Sequence, residues 1–269
     1  MAETDVIPVV VVGATGRMGR ETVGTVLQQV DMQLVAAVGH ARHLGEDIGQ
    51  LSTGEPCGVA VTDQLEPALE QAQGGVMVDF TVGPAVKDNV LAAFRHKVAA
   101  VVGTTGIPAA DENELDQAAA GNRMLLVPNF AMGAVLMMRF AREAAKYFRW
   151  AEIIEMHHER KLDAPSGTAA RTAEQMRKAR PDGFRAATEG PENIKGVRGG
   201  SMAGIRIHSV RMPGLVAHQE VILGAAGETL SIRHDSYSRE SYMPGVILAI
   251  QRVNRISGMV VGLENVLDL

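Results

Sequence analysis

The chain has 269 residues, a formal charge of −5 at neutral pH, 46% hydrophobic residues and one cysteine, Cys57. That acidic balance, with no basic run and no basic stripe interleaved with aromatics, excludes a nucleic-acid surface and points to a small-molecule partner. A lone cysteine excludes an internal disulfide and a multi-cysteine metal site, and it suits a reducing compartment.

The length suffices for two ordinary domains. The opening Met1-Ala2-Glu3-Thr4-Asp5 is acidic and leads into a short apolar run. This is unlike a signal or transit peptide, and no apolar segment is long enough to span a bilayer, so a soluble cytoplasmic protein is expected.

Val6 to Val12 is apolar and largely β-branched, and Gly13-Ala14-Thr15-Gly16-Arg17-Met18-Gly19 follows directly. The pattern predicts a buried parallel strand turning into a helix over Arg20 to Val30. The glycines then have a mechanical purpose: a tight turn, close approach of backbone to a pyrophosphate, and close packing of helix on strand. With Gly16 and Gly19 as second and third members of a GxGxxG fingerprint, the first falls on Ala14, and Gly13 stands one place early. A dinucleotide cofactor is expected here.

A second buried strand is predicted over Gln33 to Val38. In a Rossmann domain an acidic residue beyond such a strand binds the ribose 2′-OH. Here the chain reads Gly39-His40-Ala41-Arg42-His43. Imidazoles and a guanidinium suit a 2′-phosphate, so NADPH is expected over NADH, with Arg17 a further contact.

The strand-then-helix rhythm continues. Strands are predicted at Val59 to Thr62, Val76 to Phe80, Val98 to Val102 and Met124 to Val127. Helices are predicted near Leu65 to Gln73, Pro84 to His96 and Pro108 to Ala120. Such alternation indicates an α/β fold with a doubly wound parallel sheet, which binds ligands beyond the carboxyl ends of its strands. The residues there are Phe80-Thr81, Gly103-Thr104-Thr105-Gly106 and Asn129-Phe130. In the glycine-flanked pair, two hydroxyls can bond a ligand's polar edge.

Beyond Phe130 the pattern changes. A helix to about Phe148 and a strand over Trp150 to Met156 precede a helix from Ser166 to about Arg180. A glycine- and charge-rich excursion over Ala186 to Ala203 leads to strands at Ile205 to Val210, Gln219 to Leu223 and Thr229 to His234. Consecutive strands imply a mixed or antiparallel sheet and hence a second, α+β domain spanning 131–238. The final helix, near Arg239 to Ile256, and the tail Gly262 to Leu269 pack back on the first domain, 1–130.

The stretch His157-His158-Glu159-Arg160-Lys161-Leu162-Asp163-Ala164-Pro165-Ser166-Gly167-Thr168 concentrates the chemistry. Side chains alternate on a strand, so Glu155, His157 and Glu159 share one face and His158 the other. Diverging histidines without metal-ligand spacing argue against a metal. A serine triad is not supported, because Ser166 lies in a Pro-Ser-Gly-Thr turn. Lys161 is protonated at neutral pH and can donate a proton, and an imidazole can act either way. Backbone N–H groups at Ser166, Gly167 and Thr168 can cradle a carboxylate.

His157 to Thr168, with Glu152 and Glu155 before it, resembles the signature of the dihydrodipicolinate reductase family. Gly13 to Gly19, Gly103 to Gly106, Asn129-Phe130 and Gly262-Leu263-Glu264-Asn265-Val266-Leu267 fall in the order that family shows. The resemblance covers nearly the whole chain. It implies a homotetramer joined through the second domain's sheet, a cleft that closes on cofactor and substrate, and hydride delivery from a nicotinamide to a cyclic dicarboxylate imine in lysine and diaminopimelate biosynthesis. It makes His157 and Lys161 the acid–base candidates. His158, Lys161, Ser166, Gly167 and Thr168 would hold the substrate carboxylates, with Thr105 at the junction of substrate and nicotinamide. Gly13, Thr15, Gly16, Arg17, Met18, Gly19, Phe80, Thr81, Gly103, Asn129, Phe130 and Arg239 would line the cofactor, with His40 and Arg42 toward its ribose phosphate. Gly39-His40 departs from the acidic residue and arginine that many members carry there. The alternatives are a nucleotide-sensing regulatory protein, which would not need Lys161, and an aspartate-semialdehyde-type dehydrogenase, which needs a cysteine nucleophile where this chain has only Cys57 in Gly54-Glu55-Pro56-Cys57-Gly58.

Overall fold

The computed structural model describes residues 6–186 and 190–267. The acidic opening 1–5, part of the expected excursion (187–189) and the last two residues of the expected tail lie outside the described residues. The chain divides into two compact units, Met1–Phe130 with Tyr242–Leu269, and Ala131–Ser241. Arg239 to Ser241, expected to open the returning segment, belong to the second unit.

The first unit begins β1 (Ile7–Val12), α1 (Arg17–Val26), β2 (Met32–Val38), α2 (Ile48–Thr53), β3 (Val61–Thr62) and α3 (Leu65–Glu70). It continues β4 (Val76–Asp79), α4 (Gly83–Arg95), β5 (Ala99–Val102), α5 (Ala109–Ala118) and β6 (Arg123–Leu126). The second unit holds α6 (Met132–Ala145), β7 (Trp150–His157), α7 (Gly167–Ala179), β8 (Gly200–Met202), β9 (Ile205–Arg211), β10 (Ala217–Ala225) and β11 (Glu228–Ser236). The chain then returns to the first with α8 (Met243–Val253) and β12 (Gly258–Val261).

In the first unit all seven strands are parallel, in the order β12-β6-β5-β4-β1-β2-β3. Every residue of β4 and β5 is buried, as strands covered on both faces require. The order reverses between β1 and β4, so the crevice for a ligand opens beyond Val12 and Asp79. The predicted strand Met124 to Val127 is β6, and an unpredicted strand, β12, lies beyond it at the sheet edge. Its four residues, Gly258–Val261, pair in register with Arg123–Leu126.

Three further elements differ from expectation. α1 starts at Arg17, with Gly16 as its N-cap, and ends at Val26, beyond which the Gln28 and Gln29 N–H groups bond three residues back and Val30 is exposed. α2 was not anticipated; Asp47 caps it by accepting from the Gln50 N–H. The predicted helix over Arg239 to Ile256 is a 3₁₀ turn, Arg239–Tyr242, followed by α8, whose first turn contains Pro244. Among the described residues no helix is long and apolar enough to cross a membrane.

The second unit's sheet runs β11-β10-β7-β9-β8. Only the β7–β9 pair is parallel, so the sheet is mixed. β8 falls within the predicted excursion. α6 and α7 cover the face that carries Ile153, Glu155, Val221 and Leu223, all fully buried. A buried hydrogen bond from the Gln219 amide to the Thr172 hydroxyl, 2.8 Å, ties β10 to α7.

Candidate active site

The first unit's residues gather at the strand ends flanking the β1/β4 reversal. Gly13 has φ +79°, which disfavours any Cβ, and a Cβ there would stand 2.8 Å from the Phe80 carbonyl oxygen. Gly13 therefore does the work of the fingerprint's first glycine, while Ala14 is fully buried. A Cβ on Gly19 would strike the Gly13 carbonyl oxygen, so α1 can pack this closely only with glycine there. The Gly16 N–H donates to the Gly13 oxygen at 3.0 Å, and no side chain caps α1. Its first N–H groups are thus aimed outward over a glycine-lined loop, a cradle that suits a pyrophosphate.

Beyond β2, His40 caps a short 3₁₀ turn, its Nδ1 accepting from the Arg42 N–H at 3.3 Å. The His40 N–H donates to the Thr15 hydroxyl at 3.2 Å, which joins this turn to the glycine loop. Arg42 Nε lies 3.3 Å from His43 Nε2, and Arg20 Nη2 lies 3.4 Å from the same nitrogen. Arg20 also donates to the Thr15 carbonyl at 3.0 Å. It was not singled out from sequence, because its neighbours come from two separate loops. Gly39 is packed so that a Cβ would approach the Thr15 methyl to 2.6 Å.

The third cluster is organised by Asp79, the last residue of β4, which is fully buried. Its Oδ1 accepts from the Thr81 N–H (2.8 Å), the Thr81 hydroxyl (2.6 Å) and the Thr104 hydroxyl (3.2 Å), and its Oδ2 accepts from the Asn89 amide (2.8 Å). The Thr104 hydroxyl was expected to face a ligand with that of Thr105. It is instead committed inward, whereas Thr105 is exposed. The Phe80 and Phe130 rings lie 5.6 Å apart, and Gly103 rests against both, so a side chain there would displace them. Asn129 is partly buried beside Phe130.

In the second unit the chemistry collects at the end of β7. Glu155 is fully buried among four donors. Its Oε2 takes a 2.6 Å contact from His157 Nδ1 and a 2.8 Å bond from Arg211 Nη1; its Oε1 accepts from Arg211 Nη2 at 2.8 Å and from the Ser166 N–H at 3.1 Å. Burial alone would raise this carboxyl, but hydrogen bonds from His157, Arg211 and Ser209 outweigh it and hold it at about 2. Arg211 also donates to the Asp163 carbonyl at 2.7 Å. Lys161 Nζ lies 2.9 Å from Asp163 Oδ1, and this ammonium draws the Asp163 carboxyl below its ordinary range.

Ser166, expected to contact the substrate, also has a structural task. It is 3% exposed, its N–H is spent on Glu155, and its hydroxyl caps α7 by accepting from the Ala169 N–H at 3.2 Å. Gly167, the exposed first residue of α7, keeps its N–H at the helix start, with partly buried Thr168 next to it. His158 Nδ1 is buried and has no hydrogen-bond partner among the described residues. Arg239 is exposed in its 3₁₀ turn. Arg211 lies 56 residues from Glu155, too far along the chain for local spacing to reveal the pair.

Comparison with known proteins converges on one family. Residues 7–130 match the family described as "Dihydrodipicolinate reductase, N-terminus", and residues 133–267 match "Dihydrodipicolinate reductase, C-terminus". The 4-hydroxy-tetrahydrodipicolinate reductase of Desulfitobacterium hafniense is 51% identical, with 97% of this chain and 99% of that one covered. The Moorella thermoacetica protein of the same name is 48% identical, with 97% and 98% covered. The solved structure of dipicolinate-bound dihydrodipicolinate reductase from Paenisporosarcina sp. TG-14 superposes with a TM-score of 0.87 at 41% identity, covering 97% of this chain and all of that one. With both halves matched and the relatives aligned over nearly their full length, the chain belongs to the dihydrodipicolinate reductase family.

Proposed function

We propose that this chain reduces 4-hydroxy-tetrahydrodipicolinate to tetrahydrodipicolinate with NAD(P)H, NADPH being preferred, as a step of lysine and diaminopimelate biosynthesis. The observation that carries the reading is the end of β7, where Lys161, His157 and the start of α7 are tied to one buried carboxylate–guanidinium pair. A dianionic substrate needs cations and N–H donors, and Lys161, Gly167 and Thr168 offer them.

The dinucleotide, when bound, supplies the hydride. Gly13, Gly16 and Gly19 leave room for its pyrophosphate against the α1 N–H groups, Arg17 and Met18 begin that helix, and Phe80, Gly103 and Phe130 form an apolar wall. Thr105 presents its hydroxyl at the same strand ends. Hydride addition to a conjugated imine leaves an electron-rich enamine that must be protonated. The Lys161 ammonium is a proton source, and His157 is the second acid–base group.

NADPH preference rests on the turn after β2. His40, Arg42, His43 and Arg20 are clustered there, and Gly39 is wedged against Thr15 where a carboxylate would otherwise meet the ribose 2′-OH. The homotetramer rests on the second unit's sheet, whose face opposite α6 and α7 carries Ile154, Met156, Val210 and Ile222 in adjacent register. Free Cys57 suits the reducing cytoplasm.

The test is substrate-dependent oxidation of NADPH and NADH, compared as kcat/KM at fixed ionic strength. Turnover with a higher value for NADPH is expected. NADPH binding without oxidation would favour a nucleotide sensor, and a clear NADH preference would overturn the cofactor assignment.

A further inference from the structure

We propose that Glu155 is a positioning residue for the reduction: it fixes the His157 imidazole as the Nδ1–H tautomer, leaving Nε2 to exchange the proton, and it locks the start of α7 to the same strand. The proposal rests on the acid–base reading of His157.

Ionised carboxylates only accept hydrogen bonds, so the 2.6 Å contact between Glu155 Oε2 and His157 Nδ1 requires the proton on Nδ1. The carboxylate cannot turn away. Arg211 grips both of its oxygens at 2.8 Å, and the Ser166 N–H holds Oε1 at 3.1 Å. A carboxylate needed only for folding would be satisfied by Arg211 and Ser166. The remaining bond goes to the imidazole, whose side chain keeps 14% exposure while that of Glu155 has none.

The same pair reaches the second acid–base candidate. Arg211 donates to the Asp163 carbonyl, and the Asp163 carboxylate receives Lys161 Nζ at 2.9 Å. His157, Lys161 and the N–H groups of α7 are thereby referred to one fixed charge pair instead of to a loop that could drift. Orienting an imidazole through the nitrogen that does not react is a general device for setting its tautomer.

The experiment is a double-mutant cycle on the intact enzyme, using Glu155→Gln and His157→Gln singly and together, with kcat and the KM values for substrate and NADPH. Glu155→Gln is expected to lower kcat by about 10- to 100-fold, part of the roughly 10²- to 10⁴-fold that a positioned acid or base supplies, with KM for NADPH unchanged. In the His157→Gln background it is expected to lower kcat no further. An equal loss in both backgrounds overturns the proposal and leaves the reading of His157 standing. If His157→Gln itself leaves kcat unchanged, that reading falls and takes the proposal with it. Should Glu155→Gln not fold, ¹⁵N NMR of the unaltered enzyme decides: neutral His157 protonated on Nδ1 supports the proposal, and protonation on Nε2 overturns it.

Discussion

Two glycines share a backbone conformation but not a neighbourhood, which allows strain and crowding to be separated. Gly13 has φ +79° and Gly54 has φ +83°. A Cβ on Gly54, which follows α2, meets nothing within 4 Å, whereas one on Gly13 meets Phe80 O at 2.8 Å, Phe80 C at 2.9 Å and Thr81 N at 3.2 Å. Alanine at either position costs about 1–2 kcal/mol for the left-handed conformation, offset by roughly 0.4–1 kcal/mol of lost unfolded-state entropy. At Gly13 the Phe80–Thr81 peptide must also move, although Phe80 N–H is bonded to Val12 O and Thr81 to Asp79. Overpacking of that kind adds about 1–3 kcal/mol. Gly13→Ala is therefore expected to unfold about 2–12 °C below Gly54→Ala, at roughly 2–4 °C per kcal/mol. It is also expected to weaken NADPH binding, which Gly54→Ala leaves intact. Thermal unfolding of both variants and fluorescence titration with NADPH provide the measurements. Equal melting temperatures, or undiminished NADPH affinity in Gly13→Ala, would refute the reasoning.

Arg42→Ala is expected to reduce kcat/KM for NADPH by about 10- to 100-fold, the value of a charge-assisted contact, and to spare NADH; equal losses for the two cofactors would remove Arg42 from the 2′-phosphate site. Lys161→Ala is expected to lower kcat by about 10²- to 10⁴-fold with NADPH affinity retained, and loss of that affinity alone would reassign the residue. Burial, only partly offset by Asp235, pushes His234 below its ordinary value of 6.5, with His218 adding to the effect. Native His234 thus favours the neutral form, so its stabilisation is complete above 6.5 and is lost as the pH falls toward its lowered value. Urea midpoints should decline as the pH falls below about 6.5, and less steeply in His234→Asn; parallel profiles would discard His234 as the source.

The doubly wound sheet was legible because strands such as β1, β2 and β5 are short apolar runs closed by Gly13, Gly39 and Gly103 and alternate with helices. β12 was not, since Gly258–Val261 is only partly buried and becomes a strand by pairing with β6 far back in the chain. α2 was missed because its buried positions are only Ile48 and Gly49, too few to give a period. At the site, residue types in His157 to Thr168 marked the place of the chemistry but not its wiring. Ser166 read as a ligand contact and is also a cap, while Thr104 read as an outward hydroxyl and is an inward one. In both places a buried carboxylate nearby holds a donor, the Ser166 N–H in one and the Thr104 hydroxyl in the other.

Those two carboxylates explain why each cluster has its particular donors. A buried carboxylate is costly unless its oxygens are filled, and Asp79 and Glu155, each with no exposure, are filled in different ways. Asp79 takes a backbone N–H, two hydroxyls and an amide, none of which changes charge near neutral pH, so the β4 and β5 ends are held in one arrangement. Glu155 takes a guanidinium, a backbone N–H and an imidazole, the last of which exchanges a proton in the proposed reduction. Since Glu155 is held at about 2 against an ordinary 4.5, its contribution to stability is whole above 4.5 and fades as the pH falls toward 2. It is therefore ionised at neutral pH, and the charge that orients the imidazole stays the same throughout the proposed proton transfer. A fixed acceptor beside a variable donor is what repeated proton transfer requires, and Asp79, with neutral donors alone, is suited only to holding its loops.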